Sequence, residues 1–333
     1  MCAIIAPRDP RSNEGVSVLS EQLGIPQVAY ATIDQRLDRN DDFPQFVRLI
    51  SVSGDFASIM ALYVQRDVWR RDYVAVIYEP DYGEQFEDGF EDAEDDLGFE
   101  TITESVSLGN NESIYSSLGE VKETGYRTIV LLVDQPKLVE EVAVVAEDLG
   151  LLGTGYVWLI AGAAVPPVMK SQQRYPVDSP TDKLLRGAAL YSDYDPFVYN
   201  GEDDPFLKTW RNQGTSLVRR VNSVIPKDTT TNQTFFQAGD DYFQTVTPTE
   251  YAGFLYDAVI ATGIGACNAY QGGARGNHRE AILNQRFSGA TGTVNFKYNE
   301  EHGKNTTSRD TRGPMFGVYN VRPGAVGSDG MRG

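Results

Sequence analysis

The sequence predicts an α/β protein with doubly wound parallel sheets. Short runs without a polar break, such as Val74-Ala75-Val76-Ile77 and Ile129-Val130-Leu131-Leu132-Val133, read as strands buried on both faces. Stretches with apolar residues three and four apart read as helices. The two kinds alternate from Ala3 to Ser192, the order of a parallel sheet covered by helices on both sides.

Ala3–Ala6 is a buried-strand signal that Pro7 ends. Ser12 fits the N-cap of a helix carrying Val16, Leu19 and Leu23 on one face, with Gly24 closing it. Ile25–Tyr30 reads as a strand. Phe56, Ile59, Met60 and Tyr63 recur at helical spacing. Tyr73–Tyr78 is a strand of β-branched and aromatic residues. Glu84–Leu97 is a helix with Phe86, Phe90 and Leu97 inward and the acids Glu87, Asp88, Glu91, Asp92, Glu94, Asp95 and Asp96 outward. Ile114–Val121 is helical, Thr128–Val133 a strand, and Leu138–Leu149 a helix burying Val142, Val145 and Leu149. Tyr156–Ala161 and Arg186–Ser192 are further strands.

The texture then changes. Residues 193–250 are rich in Asp, Asn, Thr, Gln and Pro, with one helical piece at Phe206–Val221. They read as a connection with polar insertions and no core of its own. Tyr251–Tyr270 is a long apolar helix whose Gly253, Gly263 and Gly265 point to close packing against backbone. Thr293–Phe296 and Met315–Val321 read as closing strands, and the tail after Gly324 as loose.

Composition removes several function classes. The 47 acidic residues outnumber the 29 basic ones, giving a net charge of −18, which phosphate backbones and anionic lipid repel. No nucleic-acid partner is expected. Cys2 and Cys267 are too few for a disulfide framework. Histidine-dependent catalysis or zinc binding would have to pass through His278 or His302, and both read as surface residues. No apolar run reaches the roughly 18 residues of a membrane span, and Met1–Pro7 lacks the basic flank of a signal peptide.

Asp81-Tyr82-Gly83 resembles a kinase metal-binding triplet, but no catalytic or glycine-rich loop accompanies it. Gly263-Ile264-Gly265 has Asn268 where a dinucleotide fingerprint needs its third glycine, and it lies inside a helix. The acidic run from Glu87 to Asp96 has helical spacing and no turn glycine at the loop position calcium sites use, which fits a solvated helix face rather than a calcium loop. Sequons at Asn111, Asn232 and Asn305 fall in predicted loops or turns and fit a secreted parent. No cofactor, metal or enzymatic role is expected.

One ordered set of residues stands above this background. Ala3-Ile4-Ile5-Ala6-Pro7 is followed by Ser12, Ile25-Pro26, Tyr30-Ala31-Thr32 and Leu37. Next come Phe43-Pro44-x-Phe46-x-Arg48, Trp69, Val74–Tyr78 and Asp81-Tyr82-Gly83. Downstream stand Tyr156-Val157-Trp158-Leu159, Tyr256-Asp257-Ala258-Val259 and Phe287-x-Gly289-x-x-Gly292-x-Val294-x-Phe296. In order and spacing, over nearly the whole chain, this resembles the receptor family ligand-binding region. That family has the two-lobed type I periplasmic-binding-protein fold of natriuretic-peptide receptors, class C G-protein-coupled receptors and glutamate receptors. Tyr156–Leu159 resembles the GABA-B-like branch.

The resemblance implies a first lobe at 1–68, a second at 69–192, a polar connection and return helix at 193–285, and closing strands with a loose tail at 286–333. The family carries two βα units ahead of the strand matched by Ala3–Ala6, so it implies a first lobe incomplete at the N-terminus. It implies a small-molecule ligand held between the lobes by Ser12 (less securely Arg11), by Tyr30-Ala31-Thr32 and by Tyr82. Ser12 read from its position alone is equally an N-cap, and Tyr82 a turn aromatic. Ala163 stands where the GABA-B-like branch has a tryptophan, and Gly162 where amino-acid-binding relatives have an acid. Arg8 or Arg11 is the candidate contact for an anionic ligand. The implied function is an extracellular sensor of a membrane receptor, dimeric through the first lobe and signalling by lobe closure. The rival is a soluble solute-binding protein of a transport system.

Overall fold

A computed structural model describes residues 3–7, 10–38, 42–50, 53–67, 72–80, 83–162, 164–165, 175–193, 203–224, 238–249, 251–271, 277–299, 304–309 and 316–320. The chain opens with β1 (Ile4–Ile5), α1 (Pro10–Leu23), β2 (Gln27–Ala29), a 3-10 turn (Gln35–Asp38) and β3 (Phe46–Arg48). These strands form a parallel sheet in the order β1-β2-β3.

Then follow α2 (Ser53–Leu62) with a π-helical turn (Tyr63–Asp67), β4 (Tyr73–Tyr78), α3 (Glu84–Leu97), β5 (Glu100–Ser105) and α4 (Asn111–Thr124). They continue into β6 (Thr128–Leu132), α5 (Pro136–Asp148), β7 (Val157–Ala161), α6 (Pro180–Gly187) and β8 (Ala188–Asp193). Three short helices come next: α7 (Pro205–Arg211), α8 (Thr215–Val224) and α9 (Tyr242–Thr245). The long α10 (Ala252–Gln271) and α11 (His278–Leu283) lead to two hairpins, β9 (Phe287–Gly289) with β10 (Gly292–Val294), and β11 (Phe296–Asn299) with β12 (Lys304–Arg309). Finally β13 (Phe316–Asn320) joins the larger sheet, whose order is β13-β8-β7-β6-β4-β5. β13 lies antiparallel to β8, and the other pairs in that sheet are parallel.

Strand alternation divides the larger sheet's core in two. Ala75, Ile77, Ile129, Leu131 and Ile160 pack against α4, α5 and α6. Val74, Val76, Val130, Leu132 and Leu159 pack against Phe56, Met60, Phe86 and Phe90 of α2 and α3. This is the doubly wound arrangement the sequence predicts. It also moves α2, because the 1–68 boundary placed that helix with the first unit. Its Phe56 ring lies 6.3 Å from both Phe86 and Tyr191, so α2 covers the larger sheet.

Other boundaries shift for local reasons. Arg186 belongs to α6, held by Asp178 at 2.5 Å and Asp182 at 2.7 Å, and the strand starts at Ala188. The 193–250 stretch holds a small core of Val218, Ala238 and Phe243, with Trp210 and Tyr242 against it, so it is more than a connection. The closing strand expected at Thr293–Phe296 is split between β10 and β11. Of the helix glycines, Gly253 and Gly265 do lie against neighbouring residues, whereas Gly263 faces open space.

The smaller sheet is covered differently on its two faces. Val28, Val47 and Leu49 meet Ala258, Ala261, Ile282 and Leu283 of α10 and α11. The other face meets α1 through polar groups. Gln27, fully buried in β2, donates from Nε2 to Asn13 Oδ1 at 3.0 Å, and its Oε1 lies 2.8 Å from the Ser17 hydroxyl. Ser20 Oγ donates to the Ser17 carbonyl at 2.9 Å. With Asn13, Ser17 and Ser20 inward, the expected apolar face turns to solvent, leaving Leu19 49% and Leu23 59% exposed.

Candidate functional site

In open α/β sheets, ligands bind beyond the carboxyl ends of the strands. Two adjacent loops of the smaller sheet emerge there. The loop after β1 is tied down by Asn13, whose Nδ2 donates to the Pro7 carbonyl at 2.7 Å. The loop after β2 runs Tyr30-Ala31-Thr32-Ile33-Asp34 and is largely buried, with Thr32 1% and Asp34 4% exposed.

A buried loop needs partners for its carbonyls. Arg48, fully buried at the end of β3, supplies them. Its Nη1 donates to the Thr32 carbonyl at 3.0 Å and its Nη2 to the Asp34 carbonyl at 2.7 Å. The guanidinium also lies 5.3 Å from the centre of the Phe46 ring. Asp34 balances the charge. Burial opposes its ionisation, but hydrogen bonds from Arg36 and the charges of Arg36 and Arg48 hold its carboxyl below the usual range. The Arg36 fork closes on Asp34, with Nη2 donating to Oδ2 at 2.8 Å and Nε to Oδ1 at 3.1 Å.

Two further facts define the loop. The Thr32 hydroxyl is buried and has no hydrogen-bond partner among the described residues. Ile33, next along, packs on the cluster of Phe56, Met60 and Phe90, which belongs to the larger sheet. The loop therefore joins the two sheets.

On the larger sheet, the turn after β4 closes through Gly83, whose N–H donates to the Glu79 carbonyl at 2.7 Å. The Glu79 carboxylate reaches the loop after β6. There it accepts from Asp134 N at 2.9 Å, Gln135 N at 3.3 Å and Gln135 Nε2 at 2.8 Å. These groups start α5, so the anion-favouring end of that helix is filled by the protein's own carboxylate. After β7, Gly162 has φ +116°, a conformation that side-chain-bearing residues avoid. An acid at position 162 would be strained.

Residues 1–305 match the family model of the receptor family ligand binding region. The chain belongs to that family. It is similar to the gamma-aminobutyric acid type B receptor subunit 2 of Caenorhabditis elegans, at 24% identity over 312 residues, covering 90% of this chain and 34% of that protein. The chain thus spans about a third of that relative's length. Among solved structures it is similar to the leucine-binding protein LivK of Thermotoga maritima. The TM-score is 0.63 at 15% identity, over 99% of this chain and 79% of that one. This likeness shows the type I periplasmic-binding-protein fold.

For a member of the receptor family ligand-binding region, the residues singled out by sequence fall into three groups. Ala31 and Thr32 sit in the braced loop, with Ser12 on the neighbouring loop's helix at the same end of the sheet. Ser12 is the third residue of α1, so it does not cap that helix. Tyr30 packs on the core that the smaller sheet forms with α10. Arg11 is in α1 but its side chain lies outside the described structure, as do Arg8 and Tyr82. Sequence reasoning assigned no role to Asn13, Asp34, Arg48 or Glu79. A lone arginine in Phe46-Val47-Arg48-Leu49-Ile50 is the signal that was available, since a charge in an apolar run must find buried partners. Among the described residues no group of acids, histidines and cysteines is placed to hold a metal.

Proposed function

We propose that this chain is the extracellular sensor module of a membrane receptor, binding a small carboxylate between two lobes and signalling by lobe closure. The first lobe is built on β1–β3 with α10 and α11, the second on β4–β8 with β13. The observation that carries this reading is the 31–34 loop. It offers a buried hydroxyl at Thr32 to a ligand while Ile33 grips the larger sheet, so occupancy and lobe position are linked through one short segment. The GABA-B-type relative supports a receptor setting. The family has no catalytic step, and this reading assigns none. The rival reading, a solute-binding protein of a transporter, is favoured by the likeness to LivK over nearly the whole chain.

Titration calorimetry with γ-aminobutyrate, L-leucine and glutarate tests the ligand class. At least one should give saturable heat, and Thr32→Val should weaken it about tenfold, the worth of one hydrogen bond. Arg11→Ala should weaken it further if that residue holds the carboxylate. No heat from any probe would sink the reading.

The reading also includes a dimer through the first lobe. Val18, Leu19 and Leu23 on the outer face of α1 are 46%, 49% and 59% exposed and offer it an apolar patch. Leu19→Lys with Leu23→Glu should shift the sedimenting species to monomer. An unchanged dimer, or a wild-type monomer, would remove that face from consideration.

A further inference from the structure

The first turn of α4 presents a side chain that the cleft does not use. Asn111 opens the helix within Asn111-Glu112-Ser113, the acceptor pattern for N-linked sugar. Capping is done by its neighbour, since Asn110 Oδ1 accepts from Ser113 N at 3.1 Å. The Asn111 side chain is exposed, and no described residue hydrogen-bonds to it.

One turn further on stands Tyr115, 40% exposed. Its hydroxyl donates to Asp148 Oδ2 at 2.6 Å, which pins the ring to the end of α5. Residues four apart on a helix are neighbours, and helical side chains lean back toward the N-terminus. The pinned ring is therefore a flat apolar platform beside Asn111.

We propose that Asn111 carries an N-linked glycan whose first N-acetylglucosamine rests on the Tyr115 ring. This relies on the extracellular reading above. In the step itself, the side-chain nitrogen of Asn111 bonds to the anomeric carbon of a polyprenyl-pyrophosphate-linked oligosaccharide. The anomeric C–O bond breaks, the lipid pyrophosphate leaves, and the amide gives up one proton to the transferase. The position also has a purpose in the fold. Ser113 Oγ and Ser117 Oγ donate to the Ser105 carbonyl at 3.3 and 2.8 Å, so this helix start sits on the end of β5. β5 is an edge of the larger sheet, and a sugar rooted there obstructs strand addition. Asn305 differs, lying within β12 and paired with Tyr298; Asn232 is outside the described residues.

The test is to express the full chain behind a secretion leader in eukaryotic cells and release glycans enzymatically in heavy-oxygen water. The Asn111 peptide should carry the label, and Asn111→Gln should remove one glycan from the gel pattern. Membrane extracts give the same readout if little protein is secreted, because the sugar is added before folding is complete. Deglycosylation should lower Tm by roughly 2 °C, the scale of one ring contact in a chain this long. That drop should vanish in Tyr115→Ala. An unlabelled Asn111 overturns the proposal, and an undiminished drop in Tyr115→Ala overturns the stacking. The sensor reading is judged separately, by ligand heat on bacterially made, sugar-free protein.

Discussion

Arg48→Met is expected to destabilise the chain by about 3 kcal/mol, a large part of the 5–15 kcal/mol that holds a typical domain. Methionine matches the length of arginine but donates nothing. The Thr32 and Asp34 carbonyls, bonded to Arg48 at 3.0 and 2.7 Å, would be left buried without those donors. Asp34 would also lose one of the two positive charges that favour its ionised form. Arg48→Lys keeps the charge but not the fork, so it should lose about half as much. Urea unfolding measures both. Hydrogen exchange should show faster amides at 31–36 in Arg48→Met. A loss below about 1 kcal/mol, with unchanged exchange in that loop, would mean the brace is not needed.

The second large effect lies at the far end of the chain. Asp257 is fully buried in α10 and accepts three hydrogen bonds from the β9–β10 turn: Ala290 N at 2.6 Å, Thr291 N at 3.0 Å and Thr291 Oγ1 at 2.5 Å. Gly289 leaves room for it, because a Cβ there would run into the Asp257 carboxylate. Asp257→Ala should cost about 3 kcal/mol, since it strands several buried donors at once. Gly289→Ala should cost about 2 kcal/mol through the clash. The two should not add. Once the carboxylate is gone, the alanine has space, so the double variant should be only slightly worse than Asp257→Ala alone. Full additivity in thermal or urea unfolding would show that the glycine is needed for something else.

These two clusters show how legibility was distributed along the sequence. Interior strands such as β4 and β6 were readable because both faces are covered and every position is apolar. β5 was not seen, because as an edge strand its Glu100-Thr101-Ile102-Thr103-Glu104-Ser105 is half-buried and alternates with polar residues. The family resemblance picked out Asp257, Gly289 and Arg48 by pattern. Only the three-dimensional arrangement explains the pattern, because the partners are 33 and 34 residues apart in one case and 14 and 16 in the other. The Tyr30–Asp34 loop was expected to follow a strand, and it follows β2. Its buried state was not foreseeable, since burial there comes from Arg48 and from the larger sheet meeting Ile33.

Helix α1 is fastened to its sheet by the hydrogen bonds that join Asn13 and Ser17 to Gln27 rather than by its leucines. Apolar burial weakens on cooling, whereas such polar contacts carry little of that heat-capacity signature. The grip on α1 is thus set by a few directional bonds that either fit or fail. Greasing that contact by a change such as Ser17→Leu would jam it, because the added bulk has no space and the buried Gln27 amide oxygen loses its donor.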